Sequence, residues 1–116
     1  MSNFFGTHFK TGAAHHMLRL YGETVTYYFD GAVPGVARQA IVVRNPLAVM
    51  AELGQQVGPA IIVKFLDDSE QGIAYEDVNE ESDLVEVGLE QGETPSRRQV
   101  TQILSNEAGW TRLLVQ

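Results

Sequence analysis

Gly22–Pro46 reads GETVTYYFDGAVPGVARQAIVVRNP, and the fold turns on how this stretch pairs with itself. Glu23-Thr24-Val25-Thr26-Tyr27-Tyr28-Phe29 is β-branched and aromatic almost throughout. Arg38-Gln39-Ala40-Ile41-Val42-Val43-Arg44 is an apolar run closed at both ends by arginine. Between them, Asp30-Gly31-Ala32-Val33-Pro34-Gly35 is a cluster of turn formers. Gly takes φ > 0, Pro fixes φ, and Asp bonds its own backbone. Two β-prone runs joined in this way predict an antiparallel hairpin with a longer loop. Alternation puts Val25, Tyr27 and Phe29 on one face and Thr24, Thr26 and Tyr28 on the other, so the first face is expected to be the core face. Pro46 has no N–H to give a ladder, so Asn45-Pro46 is expected to end the second strand.

Further strands succeed this hairpin. Ala60-Ile61-Ile62-Val63-Lys64-Phe65-Leu66 is nearly all apolar, which predicts a strand buried on both faces. In Leu84 to Glu90, Val85, Val87 and Leu89 alternate with Glu86, Gly88 and Glu90, the pattern of a half-buried strand. Arg97 to Leu104 and Trp110 to Val115 predict a fifth and a sixth strand, with turns at Gln91–Pro95 and Asn106–Gly109. A strand that ends one residue before Gln116 must be tied into a sheet to stay ordered. Leu47 to Gly54 reads equally as a helical turn or a strand.

Toward the start of the chain, Phe5, Phe9, Ala13, Met17 and Tyr21 recur every fourth residue, with Ala14 and Leu18 alongside. This predicts an amphipathic helix over Asn3–Tyr21 that is weakened at Gly6 and Gly12 and stopped at Gly22. Phe4 and Phe5 either cap the core or dock on a neighbouring molecule. The predicted fold is mainly β: one small domain over residues 1–116, a six-stranded antiparallel barrel or sandwich over 22–116 with an N-terminal helix or arm over 1–21.

The chain has 116 residues, 44% hydrophobic and 20% charged, with no cysteine. A domain this size buries a core without disulfides, and thiolate metal sites are excluded. The formal net charge of −7 argues against binding DNA by phosphate neutralisation and against an anionic membrane surface. No apolar run reaches the ~18 residues of a spanning helix. MSNFFGTHFK lacks the charged-then-apolar order of a secretion signal, so synthesis and folding in the cytoplasm are expected.

Eleven of the fifteen acidic residues fall between Asp67 and Glu93, with no Lys or Arg among them. Asp67, Asp68 and Glu70, and later Glu80 and Glu81, lack the spacing of a Ca²⁺ loop. The plainer reading of 67–83 is a solvated acidic loop, with Ile73, Tyr75 and Val78 as its apolar anchors. His8, His15 and His16 offer a pair on one helix face but no third ligand, so surface histidines are expected rather than zinc. Ser82 and Ser105 have no histidine near them in sequence, so no nucleophilic triad is indicated. Arg97 and Arg98 open the fifth strand opposite an acidic fourth strand, where pairing with Glu86 or Glu90 would contribute about 0.2–1 kcal/mol. Trp110 is an anchor of either the core or an interface.

The order of these pieces resembles a known family. A helix runs into Tyr21-Gly22-Glu23-Thr24-Val25-Thr26-Tyr27, a Gly/Pro loop, and Ala40-Ile41-Val42-Val43-Arg44-Asn45-Pro46. Asp83-Leu84-Val85-Glu86-Val87, Arg97-Arg98-Gln99-Val100-Thr101-Gln102-Ile103-Leu104 and Gly109-Trp110-Thr111-Arg112-Leu113-Leu114-Val115 complete it. The chain is similar in this to the small head–tail joining, or head-completion, proteins of tailed bacteriophages. Most of the chain takes part, though not Leu47 to Gly58. The resemblance implies a virion structural protein with a β-barrel fold, without enzymatic activity or cofactor. It implies a ring that closes the DNA-filled head, with portal or adaptor and tail proteins as partners and no membrane. A tail-terminator or other connector protein is the nearest alternative, and a non-enzymatic β-barrel binding module the next. Phe4, Phe5, Asp67, Asp68, Glu70, Glu80, Glu81, Arg97 and Arg98 are the residues expected at interfaces or facing the channel. An acidic channel wall would let DNA pass without sticking.

Overall fold

The two β-prone runs of the opening stretch pair antiparallel as β1 (Glu23–Tyr28) and β2 (Val36–Val43), with Val25 opposite Arg38 and Tyr27 opposite Val36. The computed structural model describes residues 16–44, 61–88, 92–105 and 109–116. The other strands are β3 (Ile61–Leu66), β4 (Leu84–Val87), β5 (Ser96–Ser105) and β6 (Trp110–Val115). Every neighbouring pair is antiparallel, and the order β1-β2-β3-β6-β5-β4 closes because β4 pairs back onto β1. Of the barrel and the sandwich expected, the barrel is the one observed, and closure leaves the described strands no edge open to pairing with another chain.

The interior is set by strand alternation. Val25 and Tyr27 of β1, Ile61, Val63 and Phe65 of β3, and Leu113 and Val115 of β6 point into one buried cluster. The Tyr27 ring meets Phe65 edge-on, with centroids 5.5 Å apart. Burying a side chain of this size contributes about 2–3 kcal/mol. β3 is buried on both faces as expected, because its outward residues also find apolar partners. Ile62 packs with Leu114, while Leu66 packs with Leu18, Ile41 and Trp110. Trp110 thus anchors the helical turn to the outside of the barrel.

β5 is the long strand, and it serves two neighbours in succession. Residues 96–99 pair with β4, and residues from Val100 onward pair with β6. Register shifts between Val100 and Gln102 and between Ile103 and Ser105 follow within the part that pairs with β6. Gln116 exchanges both backbone bonds with Gln99 at 3.0 Å, which ties in the residue after β6.

Two expectations about faces are corrected. Phe29 is not a core residue: its ring stacks at a tilt on Tyr27, 4.8 Å between centroids, yet it is 37% exposed. Strand pairing ends at Tyr28, and the chain enters a 3₁₀ turn over Phe29–Gly31, so alternation no longer sets its direction. Asp30 and Gly31 both take φ > 0 there, at 54° and 73°. Tyr28, assigned to the wet face, is buried instead. It is covered by the Arg97 guanidinium 4.3 Å above its ring and by the close approach of Gly35, where a Cβ would stand 2.8 Å from the ring.

The helix is described over residues 16–21. Its last bond runs from the Gly22 N–H to the Leu18 carbonyl at 2.7 Å, so Gly22 does mark the stop. The residue it buries is Leu18, whereas Met17 and Tyr21 of the expected stripe are 42% and 62% exposed. Helical period alone does not say which edge of a broad stripe meets the barrel. The position beside Trp110 and Leu66 decides it. The expectations for Asn3–His15, Leu47–Gly54 and the Asn106 turn lie outside the described residues.

Candidate functional site

The acidic segment and the β1–β2 loop leave the same end of the barrel, because β1 and β3 run in the same direction through an antiparallel ring. The segment 67–83 is folded across that end. Ile73 and Val78 insert into the interior cluster, while Tyr75, third of the expected anchors, remains half exposed. Asp67, Asp68, Glu70, Glu76, Asp77, Glu80 and Glu81 all face solvent. The expected solvated acidic surface is thus present as the outer side of a lid.

Local hydrogen bonds hold the lid in shape. The Asp68 carboxylate accepts from the backbone N–H groups of Glu70 and Gln71 at 2.7 and 3.0 Å. Asp67 accepts from the Tyr75 N–H at 2.8 Å, at the start of the 3₁₀ turn Tyr75–Asp77. Arg38 of β2 donates through Nε to the Gly72 carbonyl at 2.9 Å. Gly72 itself has no room for a side chain, since a Cβ would lie 2.0 Å from the Leu66 carbonyl oxygen.

Asp83 fastens the far end of the lid, and its side chain is fully buried. It accepts hydrogen bonds from the Tyr27 hydroxyl, from the Asp30 N–H at 2.7 Å and from the Asn79 N–H at 2.9 Å. Three elements, β1, the β1–β2 turn and the lid, therefore meet on one carboxylate. Burial pushes the Tyr27 hydroxyl far above a tyrosine's ordinary value of 10.0. The hydrogen bond to Asp83 and the charges of Asp83, Asp30 and Asp77 push the same way. Tyr27 therefore keeps its proton at neutral pH, and its hydroxyl serves as a donor to Asp83.

Arg97 stands opposite Glu86 in the β4–β5 register, as expected. Their side chains nevertheless engage Tyr28 from two sides. Glu86 accepts from the Tyr28 hydroxyl at 2.9 Å, and Arg97 lies over the ring face. Arg98 turns to the Val87 carbonyl at 3.3 Å. Arg44 forms an ion pair with Glu23, at 2.6 Å. That hydrogen bond raises the Arg44 pKa, with burial opposing.

Of the expected site residues, Asp67, Asp68, Glu70, Glu80 and Glu81 share the lid, and Arg97 and Arg98 lie on the barrel wall beside β4. Phe4 and Phe5 fall outside the described residues. His16 is exposed on the helical turn, His8 and His15 are not described, and no group of three or more metal-ligating side chains occurs among the described residues. Sequence reasoning missed the Tyr27–Asp83 bond. Tyr27 carried the one usable signal, because a core tyrosine must find a partner for its hydroxyl.

A cleft of about 410 Å³ opens between the helical turn and the barrel, lined by Leu18, Arg19, Gly22, Gln39, Leu66 and Gln71. No helix among the described residues is long and apolar enough to cross a membrane. Compared with family models, characterised proteins and solved structures, the chain matches none.

Proposed function

We propose that this chain is a connector protein of a tailed-phage particle, forming with copies of itself a ring that joins the DNA-filled head to the tail. The observation that supports this reading is the closed barrel of six antiparallel strands preceded by a helix. It is the architecture implied by the family that the order of helix, hairpin and strands resembles. The role is structural, requires no cofactor and puts the protein in the virion, after synthesis in the host cytoplasm. Its partners are portal or adaptor proteins on one side and tail proteins on the other.

Two features of the surface fit that role. A closed barrel cannot add a strand from a neighbour, so assembly must use side chains and loops. Met17, Leu20 and Tyr21 are exposed together at i, i+3 and i+4 on the helical turn and offer such a surface. The exposed carboxylates of the lid, with no Lys or Arg between Asp67 and Glu93, would repel phosphates if they line the channel. A ring structure with the lid on its outer wall would remove that second point.

Deletion of the gene tests the role. Electron microscopy of particles from the deletion strain is expected to show filled or leaking heads without tails. Normal tailed particles would overturn the proposal.

A further inference from the structure

The cleft beside the helical turn has a chemistry of its own, independent of the connector role. Its volume, about 410 Å³, is that of a small-molecule site. Leu18 and Leu66 give it an apolar floor, and both belong to the small cluster that seats the helical turn on the barrel. Polar groups stand around this floor and are held in place from outside the cleft. The Gln39 side-chain amide donates to the Thr24 hydroxyl at 2.6 Å. The Gln71 backbone is fixed by Asp68, and the Gly22 N–H closes the helix on Leu18.

Charge selects among ligands. The chain carries −7 overall, and seven exposed carboxylates crowd the lid that starts at Asp67, beside Leu66. Yet no carboxylate is among the described lining residues, whose one charged member is Arg19. Arg19 is exposed and makes no ion pair among the described residues. Its guanidinium presents a planar fork suited to a carboxylate, and the Gln39 amide adds neutral hydrogen-bonding capacity nearby. A cationic ligand would meet Arg19 at the rim, and a purely apolar one would make no use of the Arg19 guanidinium.

We infer that this cleft binds a small amphipathic carboxylate, its apolar body on Leu18 and Leu66 and its carboxylate on Arg19. Titration of the full chain with octanoate, octanol and octylamine, followed by backbone amide NMR, tests this. Saturable shifts at Gly22, Gln39 and Gln71 are expected with octanoate, which binds more tightly than either other probe. Arg19→Gln is expected to weaken octanoate about tenfold or more while leaving octanol unchanged, since a charge-assisted hydrogen bond is lost and the apolar floor is kept. Arg19 is exposed, so the thermal midpoint of the ligand-free variant should match that of the parent, which separates lost binding from lost folding. Equal binding of the three probes, an octanoate affinity unaffected by Arg19→Gln, or no saturable shift at cleft residues would each overturn the inference.

Discussion

Asp83 and Thr111 are both buried polar side chains with no solvent exposure, and they are in opposite situations. Asp83 accepts from three donors on three elements. The Thr111 hydroxyl, on β6 where it pairs with Phe65 of β3, finds no hydrogen-bond partner among the described residues. Burial is therefore a poor guide to what a polar group does for a fold; the number of its partners is the better one. A satisfied buried carboxylate fixes the elements around it. An unsatisfied buried hydroxyl costs about 1–3 kcal/mol and fixes nothing.

Substitution at the two positions should give effects of opposite sign. Asp83→Ala strands the Tyr27 hydroxyl and two backbone N–H groups together, and is expected to lower stability by about 4 kcal/mol in urea unfolding. A loss under about 1 kcal/mol would mean that Asp83 does not fasten the lid. Tyr27→Phe removes one of the three donors and keeps the ring packing. A loss of about 2 kcal/mol is expected from the same measurement.

Alkaline pH probes the Tyr27–Asp83 bond without mutation. The folded chain holds the Tyr27 proton well above the ordinary value of 10.0, whereas the unfolded chain releases it near that value. Above about pH 10 the unfolded state therefore binds fewer protons, and stability falls as pH rises, by up to about 1.4 kcal/mol per pH unit. Ultraviolet absorbance should show one of the four tyrosines ionising only as the chain unfolds, and Tyr27→Phe should remove that late step.

At the smaller end, Thr111→Val replaces the orphan hydroxyl with a methyl of similar shape. Its thermal midpoint is expected to equal or exceed that of the parent, by at most about 1 kcal/mol of stability. A clear loss would show that the hydroxyl has a partner after all. Glu76→Gln, on the exposed side of the same lid as Asp83, should change stability by less than about 0.5 kcal/mol.

The contrast between these carboxylates also marks the limit of what the sequence discloses. The strands are legible because side chains alternate, and β1, β3 and β6 announce themselves by β-branched and aromatic runs. Burial of β3 on both faces is legible from its nearly all-apolar run, which Lys64 alone interrupts. The direction of Phe29 is not, because strand pairing ends at Tyr28 and the chain turns through Phe29–Gly31, with Asp30 in the left-handed conformation. Which edge of the helix meets the barrel depends on Trp110 and Leu66, more than forty residues away in the chain, and no local pattern carries that. Within the acidic run Asp83 looks like Glu80 and Glu81. The donors that reach it, among them the Tyr27 hydroxyl from a strand 56 positions earlier and the Asp30 N–H from the turn that follows, separate it from them. The cleft is equally invisible in sequence, since its walls come from the helical turn, two strands and a loop.

Mass spectrometry of purified particles, from a strain that carries the gene, is the closest test of the connector role. The chain is expected to co-purify with tailed particles in a small fixed number of copies, far below that of the major capsid protein. Its absence from well-purified tailed particles would refute that role.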